Sequence, residues 1–198
     1  MKVILASGSP RRKALMELAE IDCIVIPSEF DESKVNSYSI EETSLELALG
    51  KAKDVFDNTQ DDRAVIGADT IVVKDDKIYG KPKDREDAIR MLKELSGGVH
   101  SVYTSIAVLI EDRGKNKKFN EIIKTDVYVS EIDEEDIEKY VDTERPFDKA
   151  GAYAIQSSFS KFIEKIDGDY MSVVGLPINR IYTILKENDV MDDDEEFF

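Results

Sequence analysis

The sequence predicts an α/β fold, a mixed twisted sheet with flanking helices. Two observations carry this prediction. Short apolar runs typical of buried strands, beginning at residues 3–6, alternate with segments whose apolar residues recur at helical spacing. Two long β-prone runs at residues 100–111 and 120–131 flank a charged turn at 112–118, which predicts an antiparallel hairpin. The 198 residues are enough for one core, so we expect a single domain over residues 1–190, with two lobes left open.

Helix and strand boundaries follow from caps, periodicity and turn residues. Ser9 at the N-cap and Pro10 at the first position predict a helix over residues 10–19. Helical spacing predicts the further helices, which cover residues 39–56, 84–95, 132–141 and 176–187. β-Prone composition predicts the remaining strands, at residues 23–26, 64–73 with a bend at Asp69, 153–155 and 161–166.

Net charge limits the kinds of partner. The chain carries a formal net charge of −16 at pH 7, which repels DNA, RNA and anionic membranes. We therefore expect neither a nucleic-acid nor a membrane partner. The same charge repels a nucleoside triphosphate, so such a ligand requires a basic cluster that acts within a Debye length of about 8 Å.

Cysteine content and apolar runs bear on the compartment. Cys23 is the sole cysteine, so no internal disulfide can form, and we expect a reducing compartment, the cytoplasm. The uncharged apolar runs are far shorter than the ~20 residues that cross a bilayer.

The last residues, 191–198, include five acids and predict a flexible acidic tail.

The first motif that can bind a ligand is a small-residue turn between a strand and a helix, followed by Arg11 and Arg12. It reads Ala6-Ser7-Gly8-Ser9-Pro10. Such a turn exposes backbone N–H groups at a helix N-terminus, where phosphate binds, and arginine adds bidentate contacts to the oxygens. From spacing alone, a capped helix with surface arginines is an equal alternative.

The second motif is a carboxylate after an apolar strand, at Asp69 in Gly67-Ala68-Asp69-Thr70. A carboxylate there can bind Mg²⁺ or orient an attacking water, and the loop acid Glu32 can supply a second ligand. An isolated aspartate that accepts backbone N–H bonds in a turn is the commoner case.

The third motif presents Lys81 and Lys83 in the loop Gly80-Lys81-Pro82-Lys83, just before a predicted helix. Lysines in such a loop can neutralise the charge on a leaving pyrophosphate, whereas the alternative is a solvated basic turn. For His100, the one histidine, we expect a hydrogen-bonded structural role rather than general-base catalysis.

Several other enzyme classes are excluded by their missing motifs. The sequence has no P-loop, no clustered Cys/His zinc pattern and no Gly-x-Ser-x-Gly elbow. The three motifs, in this order, instead resemble the Maf family. Further blocks of the same resemblance extend it to about residues 2–188, and they lie at residues 92–100, 148–156 and 168–177.

The resemblance implies a pyrophosphatase that hydrolyses the bond between the α and β phosphates, on the Maf/Ham1 fold shared with inosine triphosphate pyrophosphatases. The blocks at 148–156 and 168–177 are similar to the dTTP/UTP subgroup rather than to the one acting on 7-methyl-GTP. The chain departs from common family members at Ala14 and at residues 157–161, beside Gln156. Base selectivity therefore rests on fewer matches than the reaction class does.

Site residues follow from the same resemblance. It implies a divalent cation, Mg²⁺ or Mn²⁺, held by Asp69 and Glu32, with Asp69 also accepting a proton. It implies catalytic roles for Lys51 and Lys81, and the residues that it implies for substrate binding are Ser7, Arg11, Arg12, Thr70 and Gln156.

A second hypothesis comes from a different functional class. The family has also been associated with septum formation, so a nucleotide-binding regulator of cell division that acts through a protein partner stays open. The oligomeric state, including a homodimer, is likewise left open. Pyrophosphate release at catalytic amounts of protein separates the enzyme from the regulator.

Overall fold

Strands and helices alternate along the chain. The computed structural model describes residues 1–35, 37 and 39–191. Its strands are β1 (Lys2–Leu5), β2 (Ile24–Val25), β3 (Arg63–Lys74), β4 (Lys77–Tyr79), β5 (Val99–Asp112), β6 (Lys115–Val129) and β7 (Ile163–Asp167). Its α-helices are α1 (Pro10–Leu18), α2 (Ile40–Asp57), α3 (Arg85–Leu95), α4 (Glu134–Glu144), α5 (Tyr170–Val174) and α6 (Ile178–Glu187). Short 3₁₀ helices cover Glu32–Lys34, Ala150–Ala152 and Ser158–Phe162.

The sheet is mixed, as predicted. The hydrogen-bonded strand order is β2-β1-β3-β5-β6-β7, with β4 paired to β3. β1 runs parallel to β2 and to β3, whereas β3 and β4, and likewise β6 and β7, are antiparallel. Only Arg113 and Gly114 separate β5 from β6, and a connection this short joins antiparallel neighbours. The α/β class and the hairpin are therefore confirmed.

The chain divides into two compact units. Unit 1 contains Met1–Asp69, Ser105–Ile122 and the described residues from Gly175 onward. Unit 2 contains Thr70–Thr104 and Ile123–Val174. The predicted acidic tail covers residues 191–198, of which 192–198 lie outside the described residues. No helix in the described part of the chain is long and apolar enough to cross a membrane.

In unit 1, helix α2 packs closely on the sheet. Ala48 and Ala52 of α2 form an apolar cluster with Ala107 and Leu109 of β5. At Gly67 of β3, a Cβ atom would lie 2.4 Å from the backbone oxygen of Ala48, so only glycine allows this approach. The helix that carries Lys51 is thereby held against the strand that carries Asp69.

A buried arginine fixes the C-terminal end of α2. The Arg63 guanidinium donates to the backbone oxygen of Phe56 at 2.8 Å, to Thr59 Oγ1 at 2.9 Å and to Glu111 Oε2 at 2.7 Å. The carbonyl of Phe56 is one that the helix end leaves without an intrahelical partner, so this bond is a C-terminal cap.

In unit 2, an aromatic cluster forms around Phe159. Its ring centroid lies 4.7 Å from that of Tyr153, 5.2 Å from Tyr140 and 5.5 Å from Phe162. Arg85 of α3 makes a bidentate ion pair with Asp142 of α4, at 2.6 and 2.9 Å. These contacts link α3, α4 and the segment around residue 153.

Two details of the predicted elements are wrong. Residues 153–155 do not form a strand, because Ala154 N donates to Tyr140 Oη at 3.2 Å and Ala154 O accepts from Ser157 N at 3.1 Å in a turn. The hairpin turn is also shorter than predicted. Lys115 and Lys117 belong to β6, where they are exposed, so the polar sequence concealed the start of the strand.

Candidate active site

Asp69 occupies a buried position in β3 with one oxygen paired and one unpaired. Its residue surface is 7% exposed. Oδ1 accepts a hydrogen bond from Lys51 Nζ at 2.7 Å. Oδ2 is buried and has no hydrogen-bond partner among the residues that the structure describes. Burying a carboxylate oxygen without a hydrogen-bond partner costs free energy. Such an oxygen therefore points to a catalytic role or to contact with water or an ion.

Lys51 joins two carboxylates that are far apart in sequence. Its ammonium lies 2.7 Å from Asp69 Oδ1 and 2.9 Å from Glu32 Oε1. The Lys51 side chain is only 15% exposed, whereas that of Glu32 is 59% exposed. One positive charge shared by two negative ones leaves a net charge of about −1 at this point. Arg12 also interacts electrostatically with both carboxylates, so the four side chains together are formally neutral.

Glu32 lies on the 3₁₀ helix Glu32–Lys34, in the connection between β2 and α2. Asp31 begins this turn, and its Oδ1 accepts from Ser33 N at 3.2 Å and from Ser33 Oγ at 2.6 Å. These bonds lower the pKa of the Asp31 carboxyl, the side-chain bond contributing most. The turn presents Glu32 at the surface and next to Lys51.

The donor set of this cluster fits a hard divalent cation. Mg²⁺ typically takes one or two protein carboxylates and completes its octahedron with water and substrate phosphates. Asp69 Oδ2 and the Glu32 carboxylate match that requirement. No group of three or more histidine, cysteine, aspartate and glutamate side chains is placed to hold a metal in the described ranges 1–35, 37 and 39–191.

Ser7 and Arg12 meet at the start of α1. Arg12 Nη1 donates to Ser7 Oγ at 3.1 Å, and Arg12 Nε donates to the backbone oxygen of Gly175 at 2.9 Å. Ser9 occupies the N-cap position but its side chain makes no capping bond, contrary to a conventional serine cap. Its backbone N–H instead donates to Ser7 Oγ at 3.3 Å. The first N–H groups of α1 are thus left without a side-chain cap from Ser9.

The charge at Arg12 is influenced by the carboxylate cluster. Burial lowers the pKa of the Arg12 guanidinium, while Asp69 raises it, Arg11 lowers it and Glu32 raises it, in decreasing order of effect. Arginine stays protonated under all physiological conditions, so Arg12 is a fixed cation. Arg11, the next residue toward the N-terminus, is half-buried in the same turn.

Lys81 lies in unit 2 on an anchored loop. It is exposed, and its neighbour Pro82 is buried. Gly80 O accepts from Gly151 N at 3.1 Å, and Lys83 N donates to Asp87 Oδ2 at 3.1 Å. Hydrogen bonds to the backbone on both sides of Lys81 thus fix the loop, while the Lys81 side chain stays exposed.

Thr70 also belongs to unit 2 and joins a chain of hydroxyl groups. Its Oγ1 lies 3.0 Å from Thr104 Oγ1, and Thr104 Oγ1 donates to the backbone oxygen of Ser172 at 2.7 Å. A hydroxyl has one proton, so Thr70 is the donor to Thr104 in this chain.

Gln156 is exposed in unit 2, in the turn that follows the buried residues 153–155. A purely structural role for Gln156 would require its amide to satisfy nearby backbone groups. The structure gives no such bond for the Gln156 amide to any residue it describes. The amide is accessible to a ligand.

His100 is buried and paired with a tyrosine. His100 Nε2 lies 2.7 Å from Tyr153 Oη, and Nδ1 has no hydrogen-bond partner among the described residues. Burial, with a further contribution from Lys74, lowers the pKa of His100 to about 4, and Asp126 opposes the shift. The expected hydrogen-bonded structural histidine is what the structure contains.

Sequence reasoning brought together some of these residues and missed others. The structure clusters Glu32, Lys51 and Asp69, and it pairs Ser7 with Arg12. It places Thr70, Lys81 and Gln156 in unit 2. Sequence reasoning assigned no role to Gly175, although the block at 168–177 contains it, because a backbone carbonyl leaves no side-chain signal.

The family to which the chain belongs is clear from comparison with known proteins. The family described as Maf-like protein matches residues 2–188. The chain belongs to the Maf-like protein family. The resemblance inferred from the sequence motifs is therefore confirmed.

Relatives of this Maf-like chain share nearly its full length. A protein named dTTP/UTP pyrophosphatase from Clostridium novyi (strain NT) is 50% identical over 187 residues, covering 93% of this chain and 96% of its own. A protein of the same name from Bacillus cereus (strain ATCC 14579) is 46% identical, with 96% of both chains covered. One from Thermoanaerobacter sp. (strain X514) is 44% identical, with 94% and 96% covered.

Solved structures also align with this Maf-like chain over most of its length. The HAM1 protein from Coxiella burnetii aligns with a TM-score of 0.49 and 13% identity, covering 94% of this chain and 99% of its own. The Staphylococcus aureus Ham1 protein aligns with a TM-score of 0.44 and 15% identity, covering 95% and 100%.

Proposed function

We propose that this chain hydrolyses dTTP and UTP to the nucleoside monophosphate and pyrophosphate. The observation that carries the proposal is the cluster of Asp69, Lys51 and Glu32, in which Asp69 Oδ2 is buried without a partner. The names of the relatives, at 44 to 50% identity, support the same reaction and substrates.

The reaction needs a water molecule, a proton acceptor and a stabilised leaving group. The water oxygen forms a bond to the α phosphorus, the bond from that phosphorus to the bridging oxygen breaks, and pyrophosphate leaves with the bridging oxygen. Asp69 Oδ2 accepts the proton that the water loses. Positioning and charge neutralisation provide most of the catalysis in phosphoryl transfer, so no covalent nucleophile is required.

Basic groups neutralise the negative charge of the triphosphate, which a chain of net charge −16 would otherwise repel. The N-terminus of α1 offers N–H groups that Ser9 does not cap, next to Arg11 and Arg12. Ser7 Oγ accepts from Ser9 N and from Arg12, which leaves its own proton to donate to a phosphate oxygen. Lys51 and Lys81 complete the set of cations in this proposal.

Asp69 and Glu32 hold a divalent cation, Mg²⁺ or Mn²⁺, in this proposal. Such a cation supplies Lewis acidity toward a phosphate oxygen and offsets negative charge. The support for the cation is the donor set, namely the buried Oδ2 of Asp69 and the exposed carboxylate of Glu32. Binding of Mn²⁺ to the nucleotide-free protein, followed by electron paramagnetic resonance, tests this point independently of turnover.

Base selection falls to Gln156 and Thr70. The Gln156 amide carries one acceptor and two donors, which complement the N3–H and a neighbouring carbonyl of uracil and thymine. Cytosine presents an acceptor at N3 and an amino group instead. The exposed amide of Gln156 is consistent with this role.

The proposed setting is the cytoplasm, with a nucleotide as partner and no nucleic acid or membrane. Cys23 is free and half-buried, and burial raises the pKa of its thiol, with Glu17 acting in the same direction. Cys23 is the only cysteine in the sequence, so the chain forms no internal disulfide, which suits a reducing compartment. Cell fractionation tests the assignment.

A nucleotide panel with product analysis tests the proposed reaction. Purified protein is incubated with dTTP, UTP, CTP, ATP and GTP, and pyrophosphate is separated from orthophosphate. Pyrophosphate and monophosphate formed over many turnovers support the proposal. Orthophosphate together with the nucleoside diphosphate would contradict the proposal. Stoichiometric nucleotide binding without turnover would support the regulator of cell division instead.

A further inference from the structure

Glu32 is an exposed residue on a surface turn, yet its carboxylate has a defined partner. Its side chain is 59% exposed, and its Oε1 lies 2.9 Å from the Lys51 ammonium. A surface turn of this kind is mobile unless other contacts hold it. The position of Glu32 therefore depends on what fixes the segment from Ser28 to Lys34, here called the Glu32 loop.

Asp54 of α2 holds the beginning of the Glu32 loop. One oxygen, Asp54 Oδ2, accepts from Ser28 Oγ at 2.8 Å and from Glu29 N at 2.8 Å. Ser28 Oγ in turn accepts from Phe30 N at 3.0 Å. Asp54 thus holds Ser28 and Glu29 directly and Phe30 through Ser28, close to Glu32 in the chain.

Gly50 of α2 receives the ring of Phe30. A Cβ atom at Gly50 would lie 2.4 Å from Phe30 Cζ and 2.5 Å from Cε1. The ring therefore occupies the space that any other side chain would fill. Gly50 has a helical backbone, so packing rather than an unusual backbone angle explains the need for glycine here.

Gly50, Lys51 and Asp54 lie within one turn of the same helix. Residues three and four positions apart share a helix face, so Asp54 lies on the side of α2 that Gly50 and Lys51 present. The same face docks the Glu32 loop and carries the lysine that Glu32 contacts.

We propose that Asp54, Gly50 and Phe30 are positioning residues that hold Glu32 against Lys51, and so fix the second carboxylate of the site. None of them touches the reacting atoms. The proposal rests on the hydrolase function proposed above, because it assigns these residues a part in that reaction.

The decisive variant is Asp54→Ala, compared with Asp54→Asn and with Asp57→Ala. The amide of Asp54→Asn keeps an acceptor oxygen for Ser28 and Glu29. Asp57 is exposed on the same helix, so its replacement makes the same change in charge without touching the loop. Hydrogen exchange of the nucleotide-free protein reports loop release, and kcat and KM for dTTP report its consequence.

We expect amides 29 and 30 to exchange faster in Asp54→Ala, with the rest of the chain unchanged. We expect kcat to fall about 10- to 100-fold, the order of loss caused by a misplacement of about 1 Å. Asp54→Asn should recover most of both effects, and Asp57→Ala should match the parent protein. Loop release without a loss of kcat, or no loop release, overturns the proposal.

Gly50→Ala gives an independent test through packing. The added methyl group displaces the Phe30 ring, while alanine favours the helix, so the melting temperature should not fall. Because the end of a ring can rotate away, the loss of kcat should be smaller than in Asp54→Ala. The pair Gly50→Ala with Phe30→Leu removes the atoms in conflict and should recover kcat, whereas no recovery contradicts the packing argument.

The parent protein separates this proposal from the proposed function. If the parent does not turn over any nucleotide, the hydrolase function fails, whatever the variants do. If the parent turns over dTTP and Asp54→Ala loses the loop but keeps kcat, only the positioning role fails.

Discussion

Lys51 Nζ donates a hydrogen bond of 2.7 Å to Oδ1 of Asp69 and leaves Oδ2 of the same carboxylate buried and without a described partner. The two oxygens therefore have different tasks. Oδ1 is fixed by an ammonium that Glu32 shares, and Oδ2 is available for a water molecule or a cation. This division makes Asp69 the residue on which the proposed reaction most depends.

Replacing Asp69 with asparagine should remove turnover and leave the fold intact. The amide keeps the shape of the side chain but loses the charge that accepts a proton, so kcat should fall about 10²- to 10⁴-fold. Steady-state kinetics with dTTP measures the loss, and thermal unfolding checks the fold. Asp57→Asn makes the same chemical change at an exposed position and should retain full activity. A near-parental kcat in Asp69→Asn would remove Asp69 from the mechanism.

Lys81→Ala should lower kcat more than it raises KM. Negative charge on the pyrophosphate grows toward the transition state, so a lysine beside it stabilises the transition state more than the bound substrate. We expect about a 100-fold loss of kcat, comparable to the removal of one oxyanion donor. Lys139→Ala is the matched control, because it removes an exposed lysine of unit 2 that lies outside this loop. An effect on KM alone would make Lys81 a ground-state contact with phosphate.

Gln156→Ala should reduce the preference for dTTP and UTP over CTP. Gln156 is exposed, so the loss is that of one net hydrogen bond, about 0.5 to 1.5 kcal/mol, which corresponds to about 2- to 13-fold discrimination. Measuring kcat/KM for dTTP, UTP and CTP in the parent and the variant decides the matter. Gln60→Ala removes an exposed amide in unit 1 and should leave the ratios unchanged. Equal selectivity in parent and variant would refute the role of Gln156.

His100 should make the folding stability sensitive to mild acid. Its pKa is lowered from 6.5 to about 4 in the folded protein, so the unfolded chain binds the proton more readily. The resulting stability is fully present above about pH 6.5 and is lost as the pH falls toward 4. Between pH 7 and pH 4.5 the parent should lose about 2 kcal/mol more than His100→Gln. Urea unfolding at both pH values measures this difference, and equal losses would contradict the assignment.

Local sequence determined the helices other than the short α5, and most strands, because caps and apolar spacing act over a few residues. Asp84 caps α3 by accepting from Asp87 N at 2.8 Å, as expected from an aspartate before an amphipathic run. Residues 153–155 show the opposite case, since a side-chain hydroxyl and a turn replaced the strand pairing that composition favoured.

The site residues show the same contrast between what local sequence determines and what the tertiary structure decides. Motifs and resemblance nominated Glu32, Lys51 and Asp69 one by one, because carboxylate and ammonium groups carry their chemistry in the side chain. Only the tertiary structure decided that one ammonium joins both carboxylates, that Asp54 and Gly50 dock the Glu32 loop, and that Arg12 donates to a carbonyl 163 positions away. These contacts depend on strand order and on the close approach of α2 to β3 at Gly67. The helix and strand propensities of single residues depend neither on strand order nor on how closely a helix approaches a strand.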